Sequence, residues 1–350
     1  MRVDEIESGK NVSGQYSLLE VMGDPGYEVF RARASDGRSV VLRFSRGRSQ
    51  FETRAAIELC ENAMRVRHPM LAEMYSCDRF DDGSLRLVSE FVAGRSLDAW
   101  LSATGIPPLP ISVDFVRRVA MILQHAHGRG VTHHALYPAN IVVLEPETRA
   151  GGRIAAKLLD LGVHRAMRGP TRFEAAHFMA PEALATELRA PTHALAIDVR
   201  MNVYSCGCLL HYLCTGELPY QSDSLQGLRT LHRTTRRRQS KLPAELEYVI
   251  ERALEVDPKR RIPGMAELAR ALSYVESLWR SSSVRRRAAM PPPLPARPRQ
   301  SEAPRLAPAI AAALALRPVP VKKQSASEPP PPLAADVPWC RSLTILFARG

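Results

Sequence analysis

The spacing of apolar and polar residues changes along the chain. Before about residue 110, short and partly alternating runs are separated by turn signals such as Ser35-Asp36-Gly37, a pattern that predicts β-strands. The runs with this pattern are GYEVFRARA, RSVVLRF and LRLVSEFV. One segment of this half, from Phe51 to Arg67, has helical spacing instead and ends before His68-Pro69.

After about residue 110 the spacing becomes helical. The segment from Val203 to Cys214 is apolar on nearly all faces, which is typical of a helix in the centre of a large domain. Apolar residues at helical spacing also mark three further segments, namely Phe115 to Ala126, Leu246 to Leu254 and Met265 to Val275. A strand-rich part followed by a helical part predicts an α+β fold with two lobes.

A change of composition near Arg280 predicts where the folded domain ends. Fourteen of the 28 prolines lie in the last 70 residues. Proline fixes its own dihedral and lacks a donor, so such a segment favours extended, solvated chain. We therefore expect an N-terminal extension at 1–13, a folded domain at about 14–280 and a disordered Pro/Ala/Arg-rich tail at 281–350. Within the domain, the N-lobe is expected at about 14–92 and the C-lobe at about 93–280.

Charge and cysteine usage narrow the class of protein. The net charge is +12, but 9 Arg and 2 Lys against three carboxylates give the tail +8, which leaves only +4 for residues 1–280. The basic charge is therefore a poor guide to the partners of the folded part, and we predict no nucleic-acid partner. The six cysteines form no CxxC pair, the start MRVDEIESGK is too polar for a signal peptide, and the tail's longest apolar run is too short to span a bilayer. We expect a cytoplasmic protein without a membrane span.

Six motifs follow one another in a familiar order, and through them the chain resembles the bacterial Ser/Thr protein kinase (Hanks-type) family. The resemblance covers about residues 14–280 and implies a bilobal protein-kinase-like fold with a β-rich N-lobe and a helical C-lobe. In chain order, the motifs resemble the hinge, the catalytic loop, the metal-binding turn, the APE motif, the central helix and the late DPxxR motif. They read LVSEFVAGRSL (87–97), HHALYPANI (133–141), KLLDLG (157–162), MAPEA (179–183), NVYSCGCLLHYLCTGELPY (202–220) and DPKRR (257–261).

The catalytic loop departs from the family at its polar positions. Ala135 stands where the family has its catalytic aspartate, and Tyr137 stands where it has a lysine that meets the transferring phosphate. A methyl group can neither accept a proton nor orient a hydroxyl, and loss of a positioned base typically costs about 10²–10⁴-fold. His133 still matches its structural position. We expect no catalytic residue here; the alternative is an active enzyme that uses His134 as the base.

The positions that hold magnesium in the family survive better. Asn140 and Asp160 match them, and oxygen ligands of this kind suit Mg²⁺. The resemblance therefore implies that any nucleotide binding depends on Mg²⁺ through this pair. The other interpretation is that each side chain now caps or braces its own loop.

The residues expected to grip a nucleotide are altered. Arg43 replaces the strand lysine that pairs with phosphates, and Val41 adds bulk where the family has a small alanine. The helix glutamate that would pair with Arg43 is ambiguous between Glu58 and Glu61. Pro25 erodes the glycine-rich loop because it offers no amide to a phosphate. The remaining cofactor-binding positions of the resemblance are Gly23, Gly26 and Val29 in that loop and Glu90 and Val92 in the hinge. The expected cofactors are ATP and Mg²⁺, bound weakly, or none.

The residues that support the fold are kept. Glu182 and Arg261 match a buried ion pair of the family, and Asn202 replaces an aspartate that braces the catalytic loop. Because the groups of a catalytic loop are usually hydrated, we expect changes at Ala135 or Tyr137 to cost less stability than loss of Arg261.

These features favour a pseudokinase that acts as a signalling or docking module for a protein partner, with weak or no ATP binding. Two alternatives stay open: a weak or atypical ATP-dependent Ser/Thr protein kinase, and a nucleotide-sensing switch without transfer. The residue at position 135 separates the first reading from the second. The pseudokinase reading differs from the nucleotide-sensing switch in ATP binding. Val41 and the glycine-poor loop argue against such binding, whereas Asn140 and Asp160 argue for it. The partner and the oligomeric state are left open.

Overall fold

In a computed structural model, the strands precede the helices along the chain, as the spacing predicts. The structure describes residues 11–12, 15–22, 28–45, 50–145, 148, 152–161, 163, 173–187, 198–234, 237 and 240–289. The predicted tail from 290 onward, most of the predicted N-terminal extension and the glycines of the eroded loop lie outside these residues.

The N-lobe is a six-stranded sheet with one helix beside it. The strand order is β1-β2-β3-β4-β6-β5, and each pair of neighbours is antiparallel. Alternation along β4 buries Val40, Leu42 and Phe44 in a small cluster on one face and turns Val41 and Arg43 to the other. The elements are β1 (Asn11–Val12), β2 (Tyr16–Val21), β3 (Val29–Ala34), β4 (Ser39–Phe44), α1 (Gln50–Met64), β5 (Met74–Arg79) and β6 (Leu85–Glu90).

The C-lobe is built around one buried helix, α6 (Arg200–Thr215). Every residue of α6 from Met201 to Cys214 is buried, as the all-round apolar pattern predicts. Gly207 allows close packing of α6, since a Cβ there would lie 2.9 Å from the Cβ of Ala253. The other helices are α2 (Leu97–Thr104), α3 (Leu109–His127), α4 (Phe173–Ala176), α5 (Pro181–Glu187), α7 (Leu225–Thr234), α8 (Ala244–Ala253) and α9 (Met265–Ala289).

A second, three-stranded sheet lies at the start of the C-lobe. It joins β7 (Arg95–Ser96), β8 (Ile141–Val143) and β9 (Ala156–Leu158) in that order. A short 3₁₀ helix (Pro138–Asn140) leads directly into β8, and the residue pair Leu159-Asp160 directly follows β9. This sheet therefore fixes the loop that contains Ala135 and the turn that contains Asp160.

The last helix ends later than expected. It continues to Ala289, past the predicted boundary near residue 280.

Of the helices in the described ranges, none is long and apolar enough to cross a bilayer. The five cysteines in these ranges are free thiols, and four of them are buried.

Candidate functional site

An ion pair between Arg43 and Asp160 joins the two lobes. Arg43 lies on the face of β4 that also carries Val41, and its guanidinium donates from Nη1 to Oδ1 of Asp160. Asp160 has a positive φ of 58°, a conformation that aspartate tolerates better than most residues. The two side chains are only 21% and 13% exposed, so the pair is largely shielded from water.

The helix glutamates considered as partners for Arg43 lie elsewhere. Glu58 and Glu61 are both exposed on α1, and Leu59 between them packs against the main core. Within the described ranges, the carboxylate that Arg43 contacts is Asp160 rather than either glutamate. The sequence left open whether either glutamate pairs with Arg43, and both occupy exposed positions of α1.

Asn140 is held within its own loop. Its Nδ2 donates to the carbonyl oxygen of Ala135 at 2.9 Å, and its backbone N–H donates to the carbonyl of Tyr137 at 3.0 Å. Its backbone carbonyl accepts from Leu159 N at 2.8 Å, which ties the loop to the residue before Asp160. Asn140 and Asp160 are thus brought close together, and each has a protein partner.

The former polar positions of the loop are part of the hydrophobic core. Ala135 and Tyr137 are buried, at 4% and 7% exposure, and pack in the large cluster with Leu136. The expectation that position 137 tolerates change because catalytic loops are hydrated therefore does not fit its surroundings. A charged side chain there would have to be buried among apolar groups.

Asn202 braces the loop in a way that an aspartate could not. Its Oδ1 accepts from His133 N at 3.0 Å and contacts Nε2 of His127 at 2.9 Å, while its Nδ2 donates to the carbonyl of His133 at 2.5 Å. A carboxylate has no donor for that carbonyl. Burial lowers the pKa of His127, and a neutral imidazole that donates from Nε2 matches this geometry.

The hinge contains an ion pair that the motif reading overlooked. Lys157 Nζ lies 2.5 and 2.6 Å from the two carboxylate oxygens of Glu90, and Glu73 N donates to Glu90 Oε2 at 3.0 Å. Lys157 belongs to the KLLDLG motif and lies between two buried residues of β9. This alternation of buried and less buried positions could have identified Lys157 as a side chain that faces away from the core.

A second arginine of the sheet, Arg31, packs against the hinge. The guanidinium of Arg31 lies over the ring of Phe91 at 4.2 Å from its centroid, a favourable cation–π geometry. Arg31 is the register partner of Val41, and Val29 is the register partner of Arg43. Val29 and Val92 are half-buried, and Gly23 and Gly26 lie outside the described residues.

The structure brings Glu182 and Arg261 together. The Arg261 guanidinium donates to both carboxylate oxygens, at 2.7 and 3.1 Å, and lies over the Tyr204 ring at 5.2 Å. Glu182 is in the first turn of α5, and Arg261 lies between α8 and α9. The pair therefore ties the segment after Asp160 to the helical lobe.

Comparisons with known proteins agree with this architecture. The protein kinase domain model matches residues 16–274. The serine/threonine-protein kinase pkn3 of Myxococcus xanthus is 32% identical over 75% of this chain and 50% of that protein. Serine/threonine-protein kinase PknB of Mycobacterium leprae (strain TN) is 27% identical over 76% of this chain and 44% of that protein. The chain thus spans about half the length of these curated relatives or less.

A solved structure supports the fold alone. The crystal structure of Rad53 1-466 in complex with AMP-PNP matches with a TM-score of 0.58 and 21% identity, over 73% of this chain and 64% of that chain. The family model covers well over half of the sequence and coincides with the two lobes described above. The chain therefore belongs to the protein kinase domain family, and its relatives are bacterial serine/threonine protein kinases of the Hanks type.

Proposed function

We propose that this kinase-family chain is a pseudokinase, a domain that keeps the kinase fold for signalling or docking and does not transfer phosphate. The observation that carries the proposal is the loop from His133 to Asn140. At position 135 a methyl group occupies the family's base position, and at position 137 a buried aromatic ring occupies the position of its lysine. Phosphoryl transfer relies on positioning and charge stabilisation, and this loop offers a charged side chain at neither position.

The cleft fits a metal-bound nucleotide poorly. In the family, magnesium neutralises phosphate charge as the γ-phosphoryl group transfers. Here the carboxylate at the metal position, Asp160, already has the Arg43 guanidinium as its counter-ion. On the same sheet face as Arg43, Val41 adds bulk, and its register partner Arg31 packs over the Phe91 ring. Weak or absent ATP binding follows from these contacts.

The docking part of the proposal rests on what is preserved. The Glu182–Arg261 pair and the Asn202 brace hold the start of α5 and the catalytic loop against α6 and the residues that follow α8. A rigid surface of this kind can bind a protein partner without any reaction in the cleft. The partner is proposed as a protein, with the chemistry of its surface left to experiment.

An atypical kinase is the second candidate, and one observation favours it. Asn140 and Asp160 keep both family metal positions, and His134 follows directly after the buried His133. Its Nε2 is 3.2 Å from the hydroxyl of Thr132, which holds the ring against a residue of the same loop. In that orientation His134 is poorly placed to take a proton from a substrate hydroxyl.

A phosphotransfer assay separates the two candidates. The full chain is incubated with γ-labelled ATP and either Mg²⁺ or Mn²⁺, with and without a generic protein substrate, beside an Asp160→Ala control. We expect no incorporation above that control. We also expect Ala135→Asp alone to remain inactive, since Tyr137 and Arg43 are unchanged. Label that appears in the unmodified protein and disappears in Asp160→Ala would establish the atypical kinase.

A further inference from the structure

We propose that Arg43 has taken the place of the divalent cation at Asp160, so that the cleft binds no metal there and the lobes are joined without a ligand. This inference deepens the proposed function, because it concerns the same cleft. It departs from the sequence-based expectation that binding would depend on Mg²⁺ through Asn140 and Asp160.

The first argument is positional. Arg43 belongs to β4 of the N-lobe, whereas Asp160 follows β9 of the C-lobe. The Nη1–Oδ1 contact bridges 117 positions of sequence and occupies one of the two carboxylate oxygens that a metal could use. A divalent cation could coordinate Asp160 fully only if this contact were broken.

The second argument is the charge of the guanidinium. Arginine stays protonated under all ordinary conditions, and its planar fork holds a carboxylate in a fixed geometry. A metal ion beside Asp160 would therefore lie next to a permanent positive charge. In the shielded environment of this pair, the repulsion between the guanidinium and a cation is stronger than it would be in water.

The third argument is the lack of a compensating negative charge nearby. The loop that leads into β8 carries a methyl group, a phenol and a neutral amide at Ala135, Tyr137 and Asn140, and its last residue accepts a hydrogen bond from the residue before Asp160. The amide nitrogen of Asn140 is held by the Ala135 carbonyl. Arg43 and Asp160 together are neutral, so this part of the described cleft has no excess negative charge to attract a divalent cation.

Manganese binding tests the proposal directly on the full chain. Mn²⁺ replaces Mg²⁺ at oxygen sites, and its free ion gives an electron paramagnetic resonance signal that is lost on binding. Mn²⁺ is titrated, with AMP-PNP present and absent, into the unmodified protein and into Asp160→Asn, Arg43→Gln and the double variant. Arg31→Gln is the matched control, because it removes a guanidinium from the same sheet face without touching Asp160. Thermal unfolding confirms that each variant is folded.

We expect the unmodified protein, Asp160→Asn and Arg31→Gln to bind Mn²⁺ alike. Arg43→Gln should gain a stoichiometric site in the presence of AMP-PNP, and the double variant should lose it. If the Asp160 variants fail to fold, the comparison of Arg43→Gln with Arg31→Gln still decides.

Two results would overturn the proposal: an Asp160-dependent manganese site in the unmodified protein, or no gain of a site in Arg43→Gln. Neither result depends on phosphate transfer. An inactive protein that binds Mn²⁺ at Asp160 would therefore refute this inference and leave the proposed function intact.

Discussion

Replacing Arg261 tests whether the preserved ion pair supports the stability of the C-lobe. The Arg261 side chain is fully buried, whereas Glu182 is 26% exposed. Besides the two contacts with Glu182, the guanidinium donates to three backbone carbonyls, those of Arg200 at 2.8 Å, Glu255 at 3.0 Å and Val256 at 3.4 Å. Arg261→Ala would remove all of these hydrogen bonds at once.

The expected loss can be estimated from the two ends of the pair. Breaking a buried pair by removing one partner typically costs about 3–5 kcal/mol. Water can reach Glu182 and reduce its penalty, but the stranded carbonyls add to the loss, so we expect about 3 kcal/mol. The neighbouring Arg260→Ala is the control, because Arg260 is 69% exposed and its contact with Glu255 is 3.3 Å. Exposed pairs of this kind are worth about 0–1 kcal/mol.

Urea unfolding of the two variants and the unmodified protein, followed by circular dichroism, measures both losses. The difference between Arg261→Ala and Arg260→Ala should be at least about 2 kcal/mol at equal slope. If Arg261→Ala and Arg260→Ala lower the free energy of unfolding equally, the idea that burial makes the Glu182–Arg261 pair stabilising is refuted.

Two further predictions concern the loop and the acid stability of the helical lobe. Tyr137→Lys should lower the free energy of unfolding by about 2–4 kcal/mol in the same urea assay, because it buries a charge among apolar groups, whereas Tyr137→Phe should cost less than about 1.5 kcal/mol. Similar losses from both variants would show that the lost hydroxyl, and not the buried charge, decides the result. His232 is buried, and burial followed by the charges of His177 and Arg261 lowers its pKa to about 4. Its unfolded pKa is about 6.5, so the unfolded chain binds more protons between these values and stability should fall as the pH drops from about 6.5 to about 4. Melting temperatures measured across this range should depend less on pH in His232→Gln, and an unchanged pH dependence would contradict the assignment.

Periodicity was sufficient to predict the elements whose burial is uniform. The apolar run in α6 predicts a central helix because no polar face remains for solvent, and all positions from Met201 to Cys214 are buried. In β4, residues two apart share a face, so burial of Val40 and Leu42 on one face places Arg43 on the other. Local patterns of this kind need no knowledge of distant contacts.

The partner of Arg43 could not be predicted in the same way. Sequence spacing near α1 offered Glu58 and Glu61, but the carboxylate that Arg43 meets is far away in the chain and belongs to the other lobe. Which of several distant partners a charged residue contacts depends on how the two lobes pack, and the local spacing of residues carries no information about that packing. The burial of Tyr137 was missed for the same reason, since it depends on the packing of the surrounding core.

The departures from the family's pattern can be explained by one electrostatic principle. An unpaired buried charge is costly, whereas removing both members of a pair can be nearly neutral. In the loop, the family's aspartate and lysine are both absent, and an apolar pair at 135 and 137 packs into the core. Asp160 keeps its charge and has Arg43 beside it, and Asn202 supplies a neutral amide whose donor meets the His133 carbonyl. Each lost charge is thus matched by a second change or by a local contact. Restoring a single catalytic group would reintroduce a charge without its partner, which is why we expect Ala135→Asp alone to gain no activity.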